Sequence, residues 1–367
     1  MNYDAGSIDV GWPIVPPVVL SRADVHLREH NGVVGIIAEN RDHSALKYVT
    51  SRVMADARIP VLYLHGEANA PFASEIEREL NRQHALPRVT ALQALPKSFD
   101  YELNNRMWLS ARFWRFVRRL APLASHALKF STDSATCGGQ GFASFVAAQR
   151  YDYCGAPWPT VPDAWLRPVA PGFGLVGNVD FAMFRIATAL SMSSARATQL
   201  EARAKQKVCV GDGQTGCVHD TTLYRCDVVF ACWCSGARHS CFVDDPANNR
   251  AEFERFGRVR TIARNSNAST TSMRCATCPV DEARLFSAER TPPLPEERPF
   301  AFHQVWRFQV SSAPNHSHLH RDQKMAWAAE RYDVRALRAN PCLPIVSRVL
   351  ELNMMNARRE AELLSRV

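Results

Sequence analysis

The residue best suited to chemistry is Asp133, in Phe130-Ser-Thr-Asp133-Ser134. It follows an apolar run over 127–130 that reads as a strand. A carboxylate at a strand end can hold a divalent cation that bridges a diphosphate. Mg2+ and Mn2+ take oxygen ligands, commonly one or two carboxylates plus phosphate oxygens. Asp before Ser is equally a good helix or turn cap. A second acid, Asp152, opens Tyr151-Asp-Tyr-Cys-Gly-Ala-Pro-Trp158, where Gly155 and Pro157 suit a rigid turn. Trp158 and the tyrosines can stack on a planar or sugar ring, or form an aromatic hinge under a sheet. Gly177-Asn178 can make a tight turn that aims backbone amides at a ligand, or a plain loop. His303, three residues before Trp306, can ligate a metal through its neutral imidazole or sit satisfied in the core. His316, His318 and His320 alternate as one strand face would, which suits a transition metal; beside Pro314 they also suit a surface loop.

The elements that must position these residues are legible in the apolar spacing. It predicts strands over 33–39, 59–64, 88–95 and 127–130, separated by helices over 41–57, 71–84 and 101–120. A helix is predicted over 181–197, regular structure near 281–286, a strand over 300–310, and closing helices over 325–338 and 345–366. Alternating strands and helices predict an α/β fold with a mainly parallel sheet flanked by helices. Ligands of such sheets bind outside the carboxyl ends of the strands. Glu39, His65 and Asp133 all fall at or just past predicted strand ends, which points to a shared cleft.

Composition divides the chain further. We read 1–32 as an N-terminal extension and 33–204 as the core half. A cysteine-rich insertion, read as poorly packed, spans 205–272; 273–310 completes the α/β domain, and 311–367 supplies C-terminal helices. Eight of the eleven cysteines lie between Cys209 and Cys278. Only Cys275-x-x-Cys278 has the spacing of a zinc knuckle, and disulfides are a second reading of the segment. The net charge of +8 favours anionic partners. The basic residues are spread out, without the aromatic interleaving of a nucleic-acid groove, so no nucleic acid is expected. No run is long and apolar enough for a membrane span, and 1–17 lacks the pattern of a signal peptide. The chain as written reads as cytoplasmic, or as lumenal if its N-terminus is incomplete. G-x-S-x-G and G-x-x-x-x-G-K-[ST] are both missing, which weakens hydrolase, kinase and ATPase readings.

Taken in order, these pieces resemble the glycosyltransferase-like family "domain of unknown function 5672". Ile36-Ile-Ala-Glu39-Asn-Arg41-Asp-His43 is similar to the family's opening strand and Glu-x-Arg-x-His. Tyr63-Leu-His65-Gly66 and Asn105-Arg-Met-Trp-Leu-Ser110-Ala-Arg-Phe-Trp114 continue the likeness. Phe130-Ser-Thr-Asp133-Ser134 resembles F-Q-T-D-S, and 151–158 resembles Y-D-Y-I-G-A-P-W. Gly177-Asn178 matches the start of G-N-G-G, 281–286 resembles an acidic E-D-x-x-F, and His303-x-x-Trp306 a late H-x-x-W. The likeness covers about 33–308, interrupted by the cysteine-rich segment.

The resemblance implies a nucleotide-sugar transferase fold. Thr132-Asp133-Ser134 would stand in the place of the D-x-D metal motif, and Asp133 would bind Mn2+ or Mg2+ and the diphosphate. His303 would be a late metal or phosphate contact. Asp281 or Glu282 would be an acceptor-side acid or base. Glu39, Arg41, His65, Asp152, Trp158, Gly177 and Asn178 would line the donor site. The implied activity is metal-dependent transfer of a sugar from a nucleotide-sugar donor to an unknown glycan, protein or small-molecule acceptor. The alternative is an inactive relative that binds nucleotide, sugar or a protein partner. Two departures favour that alternative: Val179-Asp180 replaces the family's Gly-Gly, and the acid pair is reversed to Asp281-Glu282.

Overall fold

The computed structural model describes residues 32–84, 87–97, 99, 101–138, 141–157, 176–193, 278, 280–288, 298–303 and 342–364. The predicted helix over 325–338, the zinc knuckle's Cys275, His316, His318, His320, Trp158 and Trp306 lie outside the described residues, as does the 205–272 segment.

Six strands form the main sheet: β1 (Gly32–Ala38), β2 (Val61–His65), β3 (Val89–Gln93), β4 (Ala124–Lys129), β6 (Tyr153–Pro157) and β7 (Val176–Arg185). Their spatial order is β3-β2-β1-β4-β7-β6. The first four are parallel, β7 runs against β4, and β6 runs against β7. The sheet is therefore mixed but mostly parallel, as the α/β reading expects. Three-residue β5 (Ser134–Thr136) leaves it and pairs with β9 (Ala301–His303), which also pairs with β8 (Ser287–Ala288).

Alternation along the strands builds two cores. Val33 and Ile37 of β1 join Val61 and Tyr63 of β2 on one face, packed with residues of α1 (Leu46–Ala57), α2 (Ala70–Gln83), α5 (Phe142–Ala148), α6 (Val280–Phe286) and α7 (Leu343–Leu364). Val34, Ile36, Leu62 and Leu64 point the other way, toward α3 (Tyr101–Leu109) and α4 (Ala111–Leu120). Central strands buried on both faces are the normal condition of a parallel sheet covered by helices. In the second core Trp108 stacks on Phe184 at 5.6 Å, and the Trp114 indole N–H donates to the Trp108 carbonyl at 2.7 Å.

Three local expectations are corrected. The helix predicted over 101–120 breaks at Ser110, whose hydroxyl accepts from the Phe113 amide and caps a new helix, α4. Within the predicted 181–197 helix, 181–185 instead belong to strand β7, and helix occupies 186–193 as far as the described residues run. Periodicity alone does not separate a short, fully buried strand from a buried helix, and Phe181-Ala-Met-Phe184 is buried throughout. The turn expected within 151–158 is largely strand β6. Its amides pair with β7 across a bulge, so the same stretch serves the sheet.

One disulfide joins Cys137, after β5, to Cys342, before α7. Both cysteines lie outside the cysteine-rich segment. Among the described residues Cys154 and Cys278 are free thiols, buried beside one another. The short sheet is also drawn against α5. A Cβ on Gly141 would stand 2.4 Å from the Phe300 Cα, so the two backbones touch where only glycine fits.

At the amino edge of the sheet, Nε2 of His126 donates to the Tyr151 carbonyl at 3.1 Å and its Nδ1 accepts from Ser125 at 2.8 Å. Burial pushes this imidazole down to about 4, opposed by the Tyr151 carbonyl, assisted by Arg185 and opposed again by Asp152. Unfolded, the ring has its ordinary value near 6.5, so between those values the unfolded chain holds the extra proton. The stabilisation is complete above pH 6.5 and is lost as pH falls toward 4, to the extent of roughly 3 kcal/mol. Urea titrations of wild type and His126→Gln between pH 7 and 4.5 should show this slope in the wild type and a flatter profile in the variant. The disulfide closes a separation of 205 residues. Cys342→Ser should lower the unfolding free energy by about 3 kcal/mol, and a thiol reductant should bring wild type to the variant's urea midpoint.

Candidate functional site

The sheet ends in a charged cluster. β4 closes on the apolar pair Ala127-Leu128, then carries Lys129, and the Phe130 amide still donates to the Ile36 carbonyl at 3.2 Å. A tight turn follows, closed by the Ser134 amide donating to the Ser131 carbonyl at 3.0 Å. Ser131 donates its hydroxyl to the Asp133 carboxylate. The Ser131 amide in turn donates to the Ser134 hydroxyl at 3.2 Å. These bonds hold Asp133 facing inward, with its side chain only 6% exposed. From outside, Asn353 of α7 donates its amide N–H to the Thr132 carbonyl at 2.9 Å.

His303 arrives on β9, where it pairs with Ser134. Its Nε2 lies 3.4 Å from Asp133 Oδ1 and 3.6 Å from Asp180 Oδ2, and the ring is fully buried. Asp180 comes from the amino-terminal half of β7. The Lys129 ammonium sits 2.8 Å from Asp180 Oδ1 and 5.3 Å from the Trp108 ring centroid. Burial alone would raise the Asp180 carboxyl, but Lys129 and His303 outweigh it and hold it below its ordinary value against the opposing charge of Asp133. As they stand, no three His, Cys, Asp or Glu side chains among the described residues are gathered into a metal cage. Asp133, Asp180 and His303 instead share their charge with Lys129.

A second group lies at the ends of β1 and β2. Arg41 grips Glu39 with two bonds, Nε to Oε1 at 2.8 Å and Nη2 to Oε2 at 3.0 Å. Asn69 fixes the loop: its amide N–H groups reach the Glu39 carbonyl at 3.0 Å and the Tyr63 hydroxyl at 2.9 Å, while its Oδ1 accepts from the Gly66 amide at 2.9 Å. His65 Nδ1 lies 2.8 Å from the Gly66 carbonyl. Burial lowers the His65 imidazole, with that carbonyl opposing. β1 and β4 are parallel neighbours with Ile36 paired to Lys129, so Glu39 and Thr132 both follow the carboxyl ends of adjacent strands. Glu39, Arg41, His65, Thr132, Asp133, Ser134 and His303 therefore share the carboxyl edge of the sheet.

Other candidates stand elsewhere. Asp152 precedes β6 at the opposite edge, with its carboxylate 2.9 Å from Arg185 Nε and accepting from the Thr188 hydroxyl at 2.6 Å. Glu282 accepts from the Tyr151 hydroxyl at 2.9 Å; burial, reinforced by this bond, pushes that phenol up to about 12. Tyr153 is level with Phe184, four strand residues or roughly 13 Å from Asp180, and Tyr151 lies further out. Glu282 is thus not brought to the Asp133 cluster. Asp281 lies in α6, but its side chain is outside the described residues. Gly177 and Asn178 belong to strand β7 rather than a turn, with Asn178 paired to Ala156. The ladder takes the backbone groups that a turn would have aimed at a ligand.

Sequence reasoning missed Lys129, Ser131, Asp180 and Asn353 as site residues. Asp180 stood out only as a departure, because its partner Lys129 is 51 positions away. Asn353 had no local signal at all. No protein-family model matches the chain, and no curated protein matches it.

Proposed function

We propose that this chain binds a nucleoside-diphosphate sugar at the carboxyl edge of its sheet through a divalent cation, and transfers the sugar to an acceptor hydroxyl. The observation that carries this reading is the convergence of Asp133 and His303 at the end of β4. Carboxylate and imidazole donors suit Mn2+, and Mg2+ through the carboxylate. Asp133 and His303 would hold the ion, which when bound supplies positive charge opposite a leaving diphosphate. The chain's own residues do the rest. The Ser131–Ser134 turn and the Asn353 bond keep Asp133 oriented, and the buried His303 ring keeps bulk water from its far side. Arg41 and Glu39, one strand away, present a fixed polar pair to the same edge.

A second reading has its own support. Glu282, one of the two acids expected to activate an acceptor, is engaged by Tyr151 and separated from the cluster. A chain with a donor site and no acceptor base would bind nucleotide without transferring sugar.

Thermal unfolding with uridine or guanosine diphosphate tests the donor site. With Mn2+ present, the matching nucleotide at a hundred times its Kd should stabilise the wild type by about 2.7 kcal/mol. The gain should vanish without Mn2+ and in Asp133→Ala. A wild type that no nucleoside diphosphate shifts in the presence of Mn2+ defeats both readings. Release of free sugar from the bound donor, or its absence, then separates transferase from binder.

A further inference from the structure

We propose that Asp180 is a third ligand of the cation at Asp133 and His303, and that Lys129 is the residue that positions it. The proposal rests on the cation-dependent reading above and adds a residue of this chain's own, since Asp180 stands where the resembled family carries glycine.

The backbone ties Asp180 to the loop that carries Asp133. Ser134 donates its hydroxyl to the Asp180 carbonyl at 3.3 Å, and the Ser131 hydroxyl, which serves the Asp133 carboxylate, lies 3.4 Å from that carbonyl. The turn that carries Asp133 is thus hydrogen-bonded to the backbone that carries Asp180. The two Asp180 oxygens are also used differently. Oδ1 takes the Lys129 ammonium at 2.8 Å, which turns Oδ2 toward His303 Nε2, 3.6 Å away; that nitrogen is 3.4 Å from Asp133 Oδ1. Ligand atoms held about 2.1 Å from one octahedral cation stand roughly 3 Å apart. Small side-chain shifts would close both gaps.

Exposure distinguishes the residues further. The side chains of Asp133, His303 and Lys129 are 6%, 0% and 5% exposed, whereas Asp180 is 28% exposed. An ion entering from solvent meets Asp180 first. Charge fits the same sequence of events. With the His303 imidazole deprotonated, as ligation requires, two carboxylates and one ammonium leave the cluster one negative charge, and a divalent ion reverses its sign. A cation held by three protein ligands keeps coordination positions for diphosphate oxygens. Lys129 thus has two effects: it restricts Asp180 to one ligating oxygen and leaves the loaded site positive.

Mn2+ titrations followed by electron paramagnetic resonance test this without any turnover. Lys129→Met combined with Asp180→Asn removes the ion pair together, so neither charge is left buried alone. The double variant should keep the wild-type near-ultraviolet circular dichroism while its Kd for Mn2+ rises at least tenfold, and Asp180→Asn alone should show the same loss. Lys129→Met alone should keep Mn2+ binding but change the line shape of the bound ion, because the second Asp180 oxygen is released. If either Asp180 variant folds and binds Mn2+ within twofold of wild type, Asp180 is not a ligand. Where Asp133→Ala loses Mn2+ in that same experiment, the cation reading survives without this inference; a wild type that binds no Mn2+ ends both. An unchanged line shape in Lys129→Met removes the positioning role.

Discussion

The Lys129–Asp180 ion pair is the contact on which the carboxyl edge depends. A buried ammonium costs several kcal/mol unless a counter-charge and further bonds compensate it. Lys129 is almost wholly enclosed, with the Asp180 carboxylate at its tip and the Trp108 ring beneath it. The pair joins neighbouring antiparallel strands, β4 and β7. A slip of one residue would turn Asp180 to the other face of the sheet and strand the lysine in an apolar layer. Strand register and the chemistry of the edge are therefore one constraint.

The reversal of β7 matters for the same reason. In a fully parallel sheet every loop at this edge would follow a strand. Here β7 enters the edge at its amino end, so Asp180 approaches from a strand that is beginning while Asp133 comes from one that has just ended. The short β5-β9-β8 sheet adds His303 from a third direction. Its position is enforced by backbone contact at Gly141 and by the Cys137 amide bonding to the Phe300 carbonyl at 2.8 Å.

Support for the site extends beyond the edge. Asp56 on α1 accepts from the Thr136 hydroxyl at 2.6 Å and the Gly138 amide at 3.2 Å, and is itself held by Arg52 at 2.7 Å. α7 touches the same region through Asn353, and the Cys137–Cys342 bond fastens its start to the end of β5. The loop carrying Asp133 is thus braced by a helix more than 200 positions away. Such bracing suits a group that must stay oriented while mostly hidden from water.

The sequence by itself determined the α/β alternation, the strands before Glu39, His65 and Asp133, and the gathering of those residues at one edge. Apolar period and length carry that information locally, and parallel strands repeat the same edge each time. It misjudged 151–158, 177–178 and 181–185 because a short apolar stretch has no preference between turn, strand and helix until a partner strand takes its hydrogen bonds. Asp180 shows the limit most plainly. In the sequence it is an acid in the place of a glycine, and only the β4–β7 register sets it against Lys129 and His303. Conversely, Asp152 and Glu282 looked like site acids, yet pairing with Arg185 and Tyr151 places them away from the cluster. Tertiary structure decided these roles, because a charge acquires its role from whatever lies within a few ångströms, and here those neighbours are dozens to hundreds of positions away.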